Sequence, residues 1–386
     1  MRMLAACSLG GAGHLQPLRP LLDAARADGS ETLVVGPPAI AAMVEETGHL
    51  FSAGGEPDEG VVASIRERLA TAPRREASVL GNRLLFGDLA TTAMLPAMAD
   101  IVVSWQPDLI VREPCEYASA VVAAGSAVPC AQVAIGLAEV EWASIEVAAP
   151  ALEAHRVGLT DEVRGMPYLS RFPASLDPSP FAETCRFRDH RSDAPEELPD
   201  WWDGSRAPLV YVSFGTVLGH MSHAARAYRT VLSAVAGIDA RVLLTVGRRF
   251  DASQLGELPR NVRVERWVDQ EVVLGGAELV VCHGGSGTTY GALAAGVPVV
   301  IWPMFADQFA NGRTVAATGA GLTLRTEPDG HGGAERVDHV DVQDLVAAIG
   351  TVRADPSYRQ RALSIAGEMS AAPSATAVLR AVAARR

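Results

Sequence analysis

Residues 279–289 read LVVCHGGSGTT, an apolar run followed by a histidine, a glycine-rich turn and two threonines. The apolar run predicts a buried strand, and the glycines permit a tight turn into a helix. Free N–H groups, the helix dipole and hydroxyl groups converge at such a helix start and form a natural anion site. A capped helix after a tight turn explains the glycines alone, but not the whole arrangement. The stretch therefore predicts an α/β fold with an anion-binding turn.

Other polar and aromatic residues flank this stretch. Asp307 and Gln308 follow the next predicted strand, where a carboxylate and an amide suit recognition of hydroxyl groups. Upstream, Trp267 opens a loop and could stack on a base whose edge the backbone of Val268 would contact, although a lone tryptophan more often packs in a core. Residues 213–216 (SFGT) follow an earlier strand and are a weaker candidate for contacts with phosphate oxygens.

Short apolar runs alternate with helical stretches along the chain, which predicts parallel sheets wrapped by helices. A proline-rich segment between about 177 and 208 interrupts the pattern and is predicted to be a linker between two domains of similar size. The predicted strands are residues 3–8, 31–35, 108–111, 130–135, 209–214, 241–246, 262–265, 279–283 and 297–302.

The composition excludes several kinds of chemistry. All 33 basic residues are arginine, so Schiff-base lysine enzymes, P-loop proteins and kinases are excluded. The net charge of −12 argues against a nucleic-acid partner and against an anionic membrane surface. Any phosphate must be held by arginine, backbone N–H groups, hydroxyls or histidine.

The five cysteines and the apolar segments indicate a cytoplasmic protein. The cysteines are odd in number and widely spaced, which predicts reduced thiols rather than disulfides or a zinc site. The N-terminal apolar run ends by Gly10 and is too short for a signal peptide. The uncharged stretch Tyr117–Ala138 is predicted to be a helix and a buried strand rather than a membrane span.

A second glycine-rich turn, GGAGH at 10–14, follows the first predicted strand. It differs from the dinucleotide-binding fingerprint because Gln16 occupies the third glycine position. His14 would lie at a helix start, where the dipole disfavours the imidazolium form and leaves a neutral imidazole able to act as a general base. The alternative is a structural histidine bonded to the backbone.

Glu113 follows the predicted strand 108–111 and is a candidate partner for a catalytic histidine. A carboxylate at a strand's carboxyl end can bond the far nitrogen of such a histidine, fix its tautomer and stabilise its charged form. Glu116 is a rival for this role, and a solvated acid at a helix start is the simpler alternative.

Together these motifs resemble the GT-B glycosyltransferases of family 1, above all the bacterial natural-product, or antibiotic, enzymes. The specific part is the series W-V-x-Q at 267–270, H-G-G-x-G-T-T at 283–289, A-x-G-V-P at 294–298 and D-Q at 307–308. The resemblance implies two Rossmann-like parallel-sheet domains facing across a cleft. It implies an acceptor domain at 1–190, a linker at 191–207, a donor domain at 208–368 and a C-terminal helix at 369–386 that packs back on the acceptor domain.

The resemblance also implies site residues. His14 would be the base, oriented by Glu113, and Asp307 and Gln308 would bond the sugar hydroxyls. The donor diphosphate and nucleoside would meet Ser213, Gly215, Thr216, Trp267, Val268, Gln270, His283, Gly285, Ser286, Gly287 and Thr288. The acceptor would lie in the first domain, along stretches such as residues 54–92 and 139–168, and would meet Gly13, Phe86 and Trp142. Met94, Ile145 and Met166, in or beside these stretches, also indicate a largely apolar aglycone, although such residues are as often core residues.

Two departures from the family pattern affect these expectations. Glu113 stands where the family usually has Asp, so the dyad has one extra methylene. Gly291 stands where plant members carry a Glu that binds the ribose hydroxyls, which favours a dTDP-sugar over a UDP-sugar as donor. No Asp-x-Asp pair occurs, so a metal-bridged diphosphate site is not expected. The expected reaction is an inverting transfer in one displacement, without a cofactor.

Other functions stay open at this point. A nucleotide-sugar epimerase or phosphorylase would share the architecture, and a non-catalytic partner of another glycosyltransferase would share the fold. A homodimer is also left open. An NAD-dependent oxidoreductase has little support, since neither glycine-rich turn meets the fingerprint.

Overall fold

The structure is a computed structural model that describes residues 1–384 except 10, 70–71, 127, 190–197, 203, 216–217, 221–223 and 325–339, and except the side chains of residues 74 and 220. The chain divides into two compact units, Met1–His190 with Ala371–Arg386, and Arg191–Ser370. Each unit contains one parallel β-sheet with helices. The predicted class, two parallel-sheet α/β domains, is confirmed.

The first unit is built on a seven-stranded sheet in the order β3-β2-β1-β4-β5-β6-β7. Its strands are β1 Arg2–Ala6, β2 Glu31–Gly36, β3 Leu50–Ala53, β4 Leu109–Arg112, β5 Cys130–Val133, β6 Tyr168–Ser170 and β7 Thr184–Arg186. Its helices are α1 Ala12–Leu15, α2 Arg19–Ala27, α3 Ala41–Glu45, α4 Glu59–Leu69, α5 Arg74–Ser78, α6 Thr91–Trp105, α7 Ala118–Ala124, α8 Ala138–His155 and α9 Leu159–Gly165. A π-helical segment, Val79–Ala90, joins α5 to α6.

Both faces of this sheet are buried, as expected of parallel strands. Along β1, Met3 and Ala5 pack on one face, in the same hydrophobic cluster as α2 and the last helix of the chain. Leu4 and Ala6 point to the other face, where α6 supplies its methionines. The near-continuous apolar run of β1 follows from this double burial.

The second unit is built on a six-stranded sheet in the order β10-β9-β8-β11-β12-β13. Its strands are β8 Leu209–Ser213, β9 Arg241–Thr245, β10 Val262–Glu265, β11 Ala277–Cys282, β12 Val299–Ile301 and β13 Gly321–Thr323. Its helices are α10 Ala224–Val235, α11 Gln270–Gly276, α12 Ser286–Ala294, α13 Gln308–Thr318, α14 Val342–Ala354 and α15 Pro356–Ala371.

Two sequence expectations need correction. The segment 177–208 is not all linker, because it contains β7, which pairs with β6 at the sheet edge. Its later part is also docked, since the Trp202 indole donates to the carbonyl of Asn261 at 3.2 Å. The segment 369–386 is not one helix. Instead α15 ends at Ala371 and a separate helix, α16 (Ala375–Ala383), packs on α2 and pairs Arg380 with Asp28.

Two apolar segments of the chain are long enough to raise the question of a membrane span. The stretch Tyr117–Ala138 forms α7 and β5, as predicted. Within the described residues, one helical run, Arg75–Trp105, is long and apolar enough to cross a membrane by length and composition. A single such run is weak evidence, and Met94 and Met98 of this run are buried in the core of the first unit.

Candidate functional site

The topology of the first sheet brings the two predicted catalytic residues together. Strand order reverses between β1 and β4, which pair in parallel with Ala6 opposite Arg112. Ligands of open α/β sheets bind at the carboxyl ends of strands at such a switch point. The loop after β1 leads into α1, which carries His14, and Glu113 directly follows β4. His14 and Glu113, which are far apart in sequence, therefore meet at the carboxyl edge of the first sheet.

Glu113 is fully buried and its carboxylate has three polar neighbours. Oε1 accepts a hydrogen bond from the backbone N–H of Ser8 at 3.0 Å, and Oε2 accepts from that of Cys115 at 2.7 Å. Oε2 also lies 3.1 Å from Nδ1 of His14, whose side chain is 21 % exposed. Burial raises the pKa of Glu113, but the charge and hydrogen bond of His14 and the two N–H donors outweigh it, so the pKa lies below its usual value.

Glu116, the rival acid, faces elsewhere. Its Oε1 accepts from the backbone N–H of Ser119 at 3.0 Å, and its Oε2 accepts from the Ser119 hydroxyl. Burial raises the pKa of Glu116, which a nearby Arg112 only partly offsets. The structure therefore pairs His14 with Glu113, and Glu116 caps the start of α7.

Phe86 lies beside this pair. Its ring centroid is 5.8 Å from that of His14, and it belongs to the π-helical segment Val79–Ala90. Such π-helical turns are rare and often mark functional sites. A Cβ added to Gly13, which was predicted to contact the acceptor, would have no atom within 4 Å. The surroundings of His14 are thus open at Gly13 and aromatic at Phe86.

The remaining aromatic and apolar candidates have other neighbours. Trp142 packs edge-on against Phe181 at 5.1 Å, and the guanidinium of Arg164 lies 4.8 Å from its ring centroid. The role of Trp142 at the acceptor stays a prediction. Met94 and Ile145 are buried, which agrees with the alternative of core packing, and their role at the acceptor stays a prediction.

His14, Glu113 and Cys115 each place one potential metal-ligand atom within 4.8 Å of the others. A thiol binds metal as the thiolate. Burial first, and then the charge of Glu113, raise the pKa of Cys115 well above its usual value. The carboxylate already accepts two backbone N–H groups. These observations favour a hydrogen-bonded acid–base pair over a metal centre.

The second sheet has its own switch point, between β8 and β11, which pair with Ser213 opposite Cys282. The segment Ser213–Gly215 follows one strand and His283 follows the other. The two loops therefore lie side by side at the carboxyl edge. Thr216 falls outside the described residues, and its predicted phosphate contact stays a prediction.

The ring of His283 is enclosed by two glycines. A Cβ on Gly285 would lie 2.4 Å from Nε2 of His283, and a Cβ on Gly215 would lie 2.8 Å from the same nitrogen. Gly215 also has φ +71°, which favours glycine. Burial lowers the pKa of His283 to about 4, against a raising contribution from the carbonyl of Ser213. At neutral pH His283 is therefore uncharged and has a single N–H, which can bond either the Ser213 carbonyl or a ligand.

The lowered pKa of His283 makes stability depend on pH. The unfolded state takes up a proton below its ordinary value of 6.5, whereas the folded state resists protonation until pH about 4. Stability from this group is therefore complete above pH 6.5 and lost as pH falls towards 4, by at most about 1.4 kcal/mol per pH unit. Denaturant titrations at pH 7 and pH 5 should show a smaller difference in unfolding free energy for His283→Gln than for wild type. Equal differences would contradict this assignment.

Helix α12 presents its N-terminus without a side-chain cap. Gly285 is the N-cap residue, and no side chain among the described residues caps the helix there. A Cβ on Gly287 would have no atom within 4 Å, so the first turn is open. The Thr288 hydroxyl accepts from Nε2 of Gln270 at 3.1 Å and has one hydrogen of its own to donate. This helix start matches an anion site in its N–H groups, dipole and hydroxyl.

The predicted sugar-binding residues differ in what they can offer. Asp307 accepts a hydrogen bond from the Ser286 hydroxyl at 3.0 Å, which ties it to α12. Gln308 is buried, and its Oε1 accepts from the backbone N–H groups of Met304 and Phe305 at 2.8 and 3.0 Å. That oxygen is not available to a sugar hydroxyl, so only the Gln308 amide nitrogen remains a candidate. Asn311, which the motifs did not single out, bonds both Ser286 and Asp307.

Trp267 is a surface residue, so the alternative of core packing is wrong. Its side chain is 59 % exposed, and the guanidinium of Arg248 lies 5.5 Å from its ring centroid. It follows β10, whose Glu265 pairs with Thr245 of β9. Val268 is half-buried beside it. An exposed ring at this sheet edge can stack on a planar ligand group.

Known families match both halves of the chain. The N-terminal domain described as erythromycin biosynthesis protein CIII-like matches residues 23–215, and the C-terminal domain of the same description matches residues 229–384. The chain belongs to the EryCIII-like antibiotic glycosyltransferases. It is therefore a family 1 glycosyltransferase of the antibiotic biosynthesis type, as the motifs predicted.

Individual relatives support the same family assignment. The L-demethylnoviosyl transferase of Streptomyces niveus is 30 % identical over 100 % of this chain and 98 % of its own length. The elloramycin glycosyltransferase ElmGT of Streptomyces olivaceus is 35 % identical over 83 % and 85 %.

Solved structures show the same GT-B fold. The glycosyltransferase SnogD from Streptomyces nogalater has a TM-score of 0.77 at 26 % identity, covering 99 % of both chains. The glycosyltransferase VinC in complex with dTDP has a TM-score of 0.76 at 23 % identity, covering 100 % of both chains. At this sequence identity, the likeness to VinC shows a shared fold and nothing more.

Proposed function

We propose that this enzyme transfers a sugar from a dTDP-sugar to a hydroxyl of a small, largely apolar aglycone, with inversion at the anomeric carbon. The observation that carries the proposal is the buried carboxylate of Glu113, 3.1 Å from Nδ1 of a partly exposed His14. A carboxylate held in this way stabilises the imidazolium that forms when the base takes a proton. Membership of the family indicates the class of reaction, which is sugar transfer, and the His14–Glu113 pair provides the general base.

The proposed step is one displacement. Since Nδ1 of His14 faces Glu113, Nε2 takes the proton of the acceptor hydroxyl. The acceptor oxygen forms a bond to the anomeric carbon while the bond from that carbon to the diphosphate oxygen breaks. Attack opposite the leaving group inverts the configuration. The proton ends on His14, and the negative charge ends on dTDP.

The leaving diphosphate is met by fixed dipoles. Among the described residues of the second unit, the uncapped N-terminus of α12, the Thr288 hydroxyl and the neutral His283 can donate to it. Donors that are in place before the charge develops stabilise a transition state efficiently. The chain contains no lysine, and this arrangement needs none. We propose that transfer is metal-independent and takes place in the cytoplasm, where the five free thiols would stay reduced.

The choice of dTDP over UDP rests on Gly291. A Cβ at this position would lie 3.9 Å from Oε1 of Gln270, the residue expected near the pentose. A glutamate there, as in plant members, would reach the same region and bind ribose hydroxyls. Glycine forgoes that contact, which a 2′-deoxyribose does not require. The dTDP bound to VinC supports the same choice.

A thermal-shift comparison tests the donor. With EDTA present, dTDP is expected to raise Tm more than UDP does at equal concentration. A ligand stabilises the folded state by RT ln(1 + [L]/Kd), so the ligand with the lower Kd gives the larger shift. A crystal structure with dTDP would then locate the nucleotide. Stabilisation by UDP alone would overturn the proposed preference for dTDP over UDP. Stabilisation that EDTA abolishes would overturn the metal-free site.

A further inference from the structure

One fully buried side chain joins the two parts of the proposed donor site. Asn311 lies on α13 and is 0 % exposed. Its Nδ2 is within hydrogen-bond distance of the Gly284 carbonyl (2.8 Å), Oδ2 of Asp307 (3.0 Å) and the Ser286 hydroxyl (3.1 Å). Its Oδ1 accepts from the Tyr290 hydroxyl at 3.0 Å. A carbonyl and a carboxylate only accept hydrogen bonds, so the amide orientation follows from its partners.

The first group that Asn311 holds is the turn before α12. Gly284 has φ +88°, and a Cβ there would lie 2.8 Å from Cγ2 of Ile301 and 3.1 Å from the Gln308 carbonyl. The turn is therefore packed tightly against the start of α13. The bond from Asn311 fixes its carbonyl, and with it the direction in which the next N–H groups point.

The second group is the carboxylate of Asp307. Its Oδ2 accepts from both the Asn311 amide and the Ser286 hydroxyl, so the carboxylate is held from α13 and from α12 together. Since Nδ2 has two hydrogens for three acceptors, Ser286 and Asp307 share one of them, and the Ser286 hydroxyl also donates to Asp307. Two donors on one oxygen restrict the rotation of the side chain.

We propose that Asn311 is a positioning residue that couples diphosphate recognition to sugar recognition, an inference that rests on the proposed function. It does not touch the donor itself. One amide sets the turn that presents N–H groups to the diphosphate, and the same amide sets the carboxylate that bonds the sugar. Loss of this amide releases both groups at once, and the sugar-binding carboxylate loses a charge-assisted bond.

Calorimetric titration with dTDP and with dTDP-glucose tests this coupling. In Asn311→Ala, Kd is expected to rise about threefold to tenfold for dTDP and about tenfold more for dTDP-glucose, since bonds to charged groups are the stronger ones. Tyr290→Phe is the matched control, because it removes the bond to Oδ1 and leaves the amide donors in place. It should change each Kd by less than about threefold. A purely structural loss would lower Tm without changing the ratio of the two Kd values.

A second variant is a control for the cavity that the alanine substitution leaves. Asn311→Asp keeps the volume and can still accept from Tyr290, but it cannot donate and places a second carboxylate beside Asp307. It is expected to shift the Kd ratio in the same direction. Either folded variant with both Kd values within twofold of wild type would overturn the role of Asn311. Wild-type protein that binds neither dTDP nor dTDP-glucose would instead overturn the proposed donor, and the same comparison with UDP and UDP-glucose would then test Asn311.

Discussion

Replacement of His14 by alanine is expected to lower kcat for sugar transfer by about 10²–10⁴-fold, the range that a positioned general base contributes. The imidazole is partly exposed, and its Nδ1 lies 3.1 Å from the buried Glu113, which leaves Nε2 to take the acceptor proton. The groups proposed to hold the nucleotide belong to the other unit of the chain. The Kd for dTDP should therefore stay within about twofold of wild type. Initial rates and calorimetry measure the two quantities on one protein preparation.

Two glutamates offer a matched pair of controls for this result. Glu113→Gln removes the charge that stabilises the imidazolium and should lower kcat with little change in the Kd for dTDP. Glu116→Gln removes an equally buried carboxylate that bonds Ser119 and does not face His14. It should leave kcat near the wild-type value. Near-normal transfer by His14→Ala, with dTDP still bound, would show that another group takes the proton.

The sequence could name both members of this pair but not choose between Glu113 and Glu116. Both acids follow the same strand, and their spacing does not reveal which way each side chain points. The choice depends on the parallel pairing of β1 with β4, which carries the N–H of Ser8 to the carboxylate of Glu113. That contact spans 105 residues, so no local pattern contains it.

The central strands were predictable because they are long and apolar on both faces. The strands β8 and β11 lie mid-sheet, and they contain the apolar runs 209–212 and 279–282. The strands that were missed are β3, β6, β7 and β13, each of three or four residues, and three of them, β3, β7 and β13, are edge strands. In β7, Thr-Cys-Arg is only half-buried, so its sequence resembles a loop. Pairing with β6, and not composition, makes it a strand.

The donor motifs were predictable as motifs, but their internal contacts were not. Glycines at 215 and 285 read as flexible turns, whereas the structure shows that both make room for the ring of His283. Asn311 carried one weak signal, its spacing of four residues from Asp307 on a helix face. Its contact with Gly284 crosses 27 residues and required the fold.

The contact between Gly285 and His283 leads to the second large expected effect. In Gly285→Ala, the new Cβ would lie 2.4 Å from Nε2 and 2.7 Å from Cε1 of His283. The ring has little room to retreat towards Gly215, whose backbone lies on its other side, since a Cβ built on Gly215 would be 2.8 Å from the same atoms. We therefore expect the turn to move, and with it the N–H groups at the start of α12. The Kd for dTDP, measured by calorimetry, should rise about 10–100-fold, since overpacking of this kind costs about 1–3 kcal/mol.

Two further variants show whether the histidine or the turn is responsible. Gly275→Ala is the control, because a Cβ at this position of α11 has no atom within 4 Å and should leave the Kd unchanged. The double variant Gly285→Ala/His283→Ala removes the collision, so its Tm should recover towards wild type. If His283 donates to the diphosphate, the affinity for dTDP will stay low in the double variant, whereas a ring that only fills space would let the affinity recover. A single variant Gly285→Ala that binds dTDP as wild type does would show that the anion site does not depend on this turn.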